Sequence, residues 1–192
     1  MVRLISAFEV PPDADEAFIT GWEHARGALK GRAGAAAPTL HRALRPDVEF
    51  RFVNVVPVDS PEAWQQSIGD ADLPGAMTVF KAHSGLYAIV HEDGTPEAAG
   101  GVILITPFEV PAGDDEVFLI GWERVRELLS AQRGYLGTRL HRSLAAASFR
   151  FVNVARWSSP LAFSRALQRP EVQQAAAAMA FRSHPALYQV VR

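Results

Sequence analysis

The segment FEVPPDADEAFITGWEHAR at 8–26 returns as FEVPAGDDEVFLIGWERVR at 108–126, a hundred residues later. LHRAL at 40–44 returns as LHRSL at 140–144, RFVNV at 51–55 as RFVNV at 150–154, and HSGLYAIV at 83–90 as HPALYQVV at 184–191. The shift stays between 99 and 101 throughout. Solenoid repeats recur every ~20–50 residues, so this period marks two copies of one small unit of about 90 residues. The expected organisation is a first unit over 1–91, a linker over 92–101 and a second unit over 102–192. The linker reading rests on HEDGTPEAAGG at 91–101, which is polar and rich in Gly, Pro and small residues.

Each copy reads as strand, helix, strand, strand, helix, strand. Val2–Val10 and Val102–Val110 are β-rich and end at a proline. A helix opens near Asp13 or Asp114, where acidic residues favour the helix dipole. Phe18, Trp22, Ala25 and Leu29 fall on one helical face, and Phe118, Trp122, Val125 and Leu129 repeat it. A hairpin follows, Tyr135–Leu144 with Ser148–Trp157, matched by Ala35–Leu44 with Glu49–Val58. A second helix begins at SSPLAF or DSPEAW, with Ser as N-cap and Pro at the first helical position. LYQVV or LYAIV closes the unit. This βαββαβ order is ferredoxin-like, an α+β class in which both helices cover one sheet face. The other face needs cover, and two units in one chain can supply it to each other. The expected architecture is two ferredoxin-like units packing sheet to sheet into an internal barrel.

Bulk chemistry narrows the partners. Net charge is −2 with a pI near 6.3 and no basic block, which speaks against nucleic acid and anionic membranes. Cysteine is absent, so disulfides, thiolate metal sites and Cys nucleophiles are excluded together. No histidine pair has helical metal-ligand spacing, and no Gly-rich phosphate loop occurs; neither metal nor nucleotide cofactor is expected. MVRLISAFEV is too short and poorly flanked for a signal peptide, and a cytoplasmic location is the expectation.

The second copy of RFVNV continues to a tryptophan, Trp157, where the first continues to Val58. Strand alternation puts Phe149, Phe151, Asn153, Ala155 and Trp157 on one face. An amide and an indole among phenylalanines suit a pocket for a flat aromatic ligand. The same residues also suit plain packing: an Asn can satisfy a neighbouring strand, and a Trp can fill a core. Asn54 recurs in the first copy, so Trp157 discriminates better between the two readings. Trp22 and Trp122, on the apolar helix face, read as core.

The succession FEVP, GWE, LHRSL, RFVNVARWSSPLAF and HPALYQVV resembles the antibiotic biosynthesis monooxygenases of the dimeric α/β-barrel superfamily. The resemblance runs over nearly the whole chain, twice, and is strongest from 102 to 191. It implies cofactor-independent oxidation of a polycyclic phenolic, aromatic-polyketide-like substrate to a quinone with O2. It makes Asn153 and Trp157 the catalytic pair, with Phe151 and Phe163 as ring walls and Asn54 and Trp64 as their first-copy counterparts. Phe163 stands where some members carry a tyrosine, and the arginine some carry on the second helix has no match in VQQAAAAMAF. Haem-degrading members use an Asn on the first strand; Thr106 occupies that place.

His141 is the candidate base. A hairpin closing around Ala145–Ala147 sets it opposite Phe151 and on the Asn153 side of the sheet, where neutral imidazole could take a phenolic proton. Read without a site, it is a partly exposed histidine near a strand end. The second unit is expected to hold the chemistry and the first to serve mainly as scaffold, in a monomer with an internal pseudo-dimer. Two other readings stay open: a polyketide cyclase or isomerase that uses no O2, and a non-catalytic small-molecule-binding protein.

Overall fold

In both repeats an aspartate opens the first helix and an arginine just before the third strand grips it. Arg51 donates to both Asp15 oxygens at 2.9 and 2.6 Å, and Arg150 to both Asp115 oxygens at 2.8 and 2.5 Å. A bidentate pair of this kind is directional, so it fixes where each helix starts against its sheet. The computed structural model describes residues 2–29, 37–69, 79–95 and 100–192. The chain divides into two compact units. The first is Met1–Ile89 with Ser143–Ser148 and Val190–Arg192; the second is Val90–Arg142 with Phe149–Gln189.

The first unit contains β1 (Val2–Glu9), α1 (Asp15–Leu29), β2 (Thr39–Ala43), β3 (Phe52–Val58), α2 (Pro61–Gly69) and most of β4 (Lys81–Gly94). Its strands lie in the order β4-β1-β3-β2, and the β1–β4, β1–β3 and β2–β3 ladders are all antiparallel. Phe18 and Trp22, four residues apart on α1, bury against Phe8, Leu40 and Phe52, and Phe18 stacks on Phe52 at 4.4 Å. Residues 35–36, where the first-copy hairpin was expected to start, and the Leu29 side chain lie outside the described residues.

The second unit begins with the end of β4 and continues through β5 (Val102–Glu109), α3 (Asp115–Ser130), β6 (Tyr135–Ser143), β7 (Phe151–Trp157), α4 (Pro160–Leu167), α5 (Pro170–Ala178), β8 (Arg182–Ser183) and β9 (Ala186–Val190). β5 pairs with β7 on one side and with β8 and β9 on the other, and β7 pairs with β6, all antiparallel. Ser159 caps α4 as expected: its hydroxyl accepts from Ala162 N–H at 3.1 Å, and Pro160 takes the first helical position.

Two expectations need correction. The single second helix is two helices, because Pro170 disfavours helical backbone at the preceding residue and Arg169 is extended (φ −69°, ψ 125°). The expected linker over 92–101 starts inside a strand: β4 runs to Gly94, and Thr95 N–H donates to Leu136 O at 2.7 Å. Residues 96–99 of that stretch lie outside the described residues. The α+β class and the two ferredoxin-like units stand as read. No described helix is long and apolar enough to cross a membrane.

Candidate functional site

The site is built on β7. Residues paired across an antiparallel ladder point to the same face. The pairs Trp157 with Tyr135, Ala155 with Thr138, Asn153 with Leu140 and Phe151 with Arg142 therefore share one face of the second sheet. Phe118 and Trp122 of α3 and Ala166 of α4 bury against that face. Between it and the helices lies a cavity of about 210 Å³. Its walls include Leu104, Ala155, Phe163, Met179 and Phe181; Thr106, Thr138, Asn153, Tyr135 and Arg126 bring polar groups to it.

Tyr135 and Thr138 are three residues apart, a spacing that puts strand side chains on opposite faces. They share a face because β6 bulges: its register shifts between Tyr135 and Gly137, and Gly137 adopts φ +151°. One extra residue on one strand re-phases everything beyond it. Thr138 then donates its hydroxyl to Asn153 Oδ1 at 2.8 Å.

Asp93, near the end of β4, gathers the polar side of the cavity. Its Oδ1 accepts from the Tyr135 hydroxyl at 2.7 Å and from Thr138 N–H at 3.1 Å, and its Oδ2 from Arg126 Nη1 at 2.9 Å. His91 Nε2 lies 3.5 Å from Oδ2. Burial opposes ionisation of Asp93, yet these donors together hold it below the usual carboxylate range. Burial pushes the Tyr135 phenol up, and the adjacent carboxylate pushes it further. Arg126 also forks onto Glu123 at 3.0 and 2.6 Å, so two carboxylates compensate its charge.

Trp157 is fully buried behind the cavity wall, its ring 5.5 Å from Tyr135 and 5.4 Å from Phe163. Its indole nitrogen is buried and has no hydrogen-bond partner among the described residues. Phe151 stacks on Phe118 at 4.3 Å and belongs to the core cluster around Trp122. The structure thus brings Asn153 and Phe163 to the cavity, with Trp157 directly behind.

His141 is not with them. It pairs with Val152, not Phe151, and so projects from the opposite face of the sheet, buried, with Nδ1 3.1 Å from Val152 O. A one-residue slip in register reverses the face of every side chain. Asn54 and Trp64 belong to the first unit. Asn54 pairs with Ser6 and Leu40, and its Oδ1 is buried with no partner among the described residues; Trp64 is half-buried on α2. Asp93, Tyr135, Thr138 and Arg126 were not expected. Gly137 inside the strand YLGTRL was the available signal for a bulge; Asp93 had none, because it sits in a polar run that reads as linker.

Residues 101–178 match the family model of the antibiotic biosynthesis monooxygenases. An anthrone oxidase-like protein of known structure is 15% identical, with a TM-score of 0.78, covering 100% of this chain and 91% of its own, which shows a shared fold. A candidate monooxygenase from Shewanella loihica is 39% identical over 48% of this chain and 96% of its own, with a TM-score of 0.44. SnoaB, a cofactor-independent oxygenase from Streptomyces nogalater, is 26% identical over 49% and 96%, with a TM-score of 0.45. No curated protein matches the chain. Through residues 101–178, the repeat that holds the cavity, this chain belongs to the antibiotic biosynthesis monooxygenase family.

Proposed function

We propose that the cavity of the second unit binds a flat phenolic ring system and oxidises it with O2, using neither metal nor flavin. The observation that carries this reading is the cavity's make-up: apolar walls around a small set of fixed hydrogen-bonding groups, with the Asn153 amide on the sheet side. Its volume, about 210 Å³, lies below the ~300–1,000 Å³ of pockets for drug-sized ligands, which favours a compact ring system over an extended one.

Catalysis without a cofactor requires a substrate that can itself reduce O2, as an ionised hydroxyanthrone or dihydroxynaphthalene can. In an anthrone, the ring CH2 becomes C=O. One oxygen atom of O2 enters the product and the other leaves as water, so the four electrons taken from carbon balance the four that reduce O2. The Asn153 amide steadies the substrate oxygen in a site of low dielectric, where one donor acts strongly. Trp157 backs Phe163 and Tyr135 as the ring wall. With His141 on the far face, the substrate proton leaves to water and not to an imidazole. The first unit, with Asn54, Trp64 and Val58, serves as scaffold.

Oxygen uptake with 1,8-dihydroxyanthrone tests the reading. Uptake above the protein-free rate is expected, falling ~100-fold in Asn153→Ala, a typical cost of losing one oxyanion donor, and holding within about twofold in Asn54→Ala. Ligand binding with no uptake above the protein-free rate would move the assignment to a cyclase, an isomerase or a binding protein.

A further inference from the structure

Asp93 lies just past the end of the first repeat, near the end of β4, and both oxygens of its carboxylate hold groups that line the cavity of the second. Oδ1 takes the Tyr135 hydroxyl and Thr138 N–H; Oδ2 takes Arg126. Tyr135, Thr138 and Arg126 all line the cavity. The close approach that makes this possible is built into the backbone. Gly94 adopts φ +62°, and a Cβ there would lie 2.4 Å from Leu136 O and 2.7 Å from Gly137 Cα. Only glycine brings β4 that near the bulge of β6.

We infer that Asp93 is a positioning residue which sets the direction of hydrogen bonding in the cavity. An ionised carboxylate accepts and never donates. It therefore takes the Tyr135 proton and leaves the phenol oxygen facing the ligand as an acceptor. By holding Thr138 N–H it also seats the hydroxyl that donates to Asn153 Oδ1, which leaves the Asn153 NH2 as the donor. The cavity then offers one acceptor and one donor in fixed places. A ligand hydroxyl meets Tyr135, and a second ligand oxygen meets Asn153.

The inference rests on the cavity being the ring-binding site, and not on the use of O2. Calorimetric titration with 2-naphthol and 2-methoxynaphthalene separates the two, since neither ligand needs oxygen to bind. In the natural sequence 2-naphthol donates to Tyr135 and its methyl ether cannot. Tyr135→Phe removes the acceptor; Asp93→Asn frees the phenol to turn and donate to the ether. Both substitutions are expected to lower the naphthol-to-ether affinity ratio at least tenfold. A purely structural role for Asp93 would weaken both ligands together and leave the ratio unchanged, and that result overturns the proposal. Tyr135→Phe leaves Asp93 bound to Thr138 and Arg126, so it carries the test alone where Asp93→Asn does not fold; an unchanged ratio there overturns it equally. If neither ligand binds the natural protein, the ring-binding reading falls as well. If the ratio shifts as expected and no oxygen is consumed, only the oxygenase reading falls.

Discussion

Asn54 and Asn153 hold the same place on the third strand of their repeats, each facing a small hydroxyl residue on the first strand, Ser6 or Thr106. Their surroundings differ. Thr138 donates to Asn153 Oδ1, whereas the first repeat has Pro38 at the matching place and Asn54 Oδ1 finds no partner among the described residues. Four residues further along, a fully buried tryptophan stands where the first repeat keeps a valine. The strand frame came through duplication intact, and the difference in chemistry lies in Thr138 on the neighbouring strand and Trp157 at the end of β7 itself. A repeated motif marks where a site can be; its partners decide whether one is there.

The largest test of this contrast concerns packing. Trp157→Ala should destabilise the second unit by ~3–5 kcal/mol, the usual cost of emptying a large aromatic site. Val58→Ala should cost the first unit about 2 kcal/mol, both read from denaturant unfolding. Equal losses would remove the asymmetry between the repeats. Thr138→Val should make Asn153 resemble Asn54, leaving its oxygen unpaired at a cost of about 1–3 kcal/mol. Activity should fall with it while Trp157 fluorescence holds. A smaller effect separates the first helices. Gly27 meets no atom within 4 Å of an added Cβ, and Glu127 stands in its place in the second repeat. Gly27→Ala should raise the stability of the first unit by ~0.5–1 kcal/mol, seen as a higher Tm.

The smallest effect is electrostatic. Arg150 holds Asp115 below its usual value. A carboxylate with a lowered folded pKa contributes stability above the unfolded value, ~3.9, and loses it as pH falls through the folded one. Asp115 is about one-quarter exposed and solvent screens the pair, so the gain is about 1 kcal/mol or less. Asp115→Asn should lower stability at pH 7 and make no difference near pH 2. A difference that persists at pH 2 would assign the effect to packing.

Much of the fold was legible because it was written twice. Agreement between copies located both helices, and the Ser-Pro pair at 159–160 gave the start of α4. The face of β7 was legible for a simpler reason: alternation within one strand needs no knowledge of its neighbours. His141 went astray at the next level. Its face depends on how β6 registers with β7, and the loop between them gives no tight-turn residues to set that register. Tyr135 and Thr138 were hidden by the bulge, which breaks the very alternation used to read strands. Asp93 was hidden most completely, since pairing between strands far apart in sequence leaves no mark on local composition.

The path of β4 also bears on where the gene can be divided. A protein engineer reading only the repeat would cut at residue 102 and expect a working half. That fragment would leave behind Asp93 and Gly94, and with them the anchor for Tyr135, Thr138 and Arg126. A cut ahead of Val90, where the second compact unit begins, keeps the anchor with the cavity it serves. The boundary of heredity and the boundary of the working part lie a dozen residues apart, and modules for exchange should be drawn along the second.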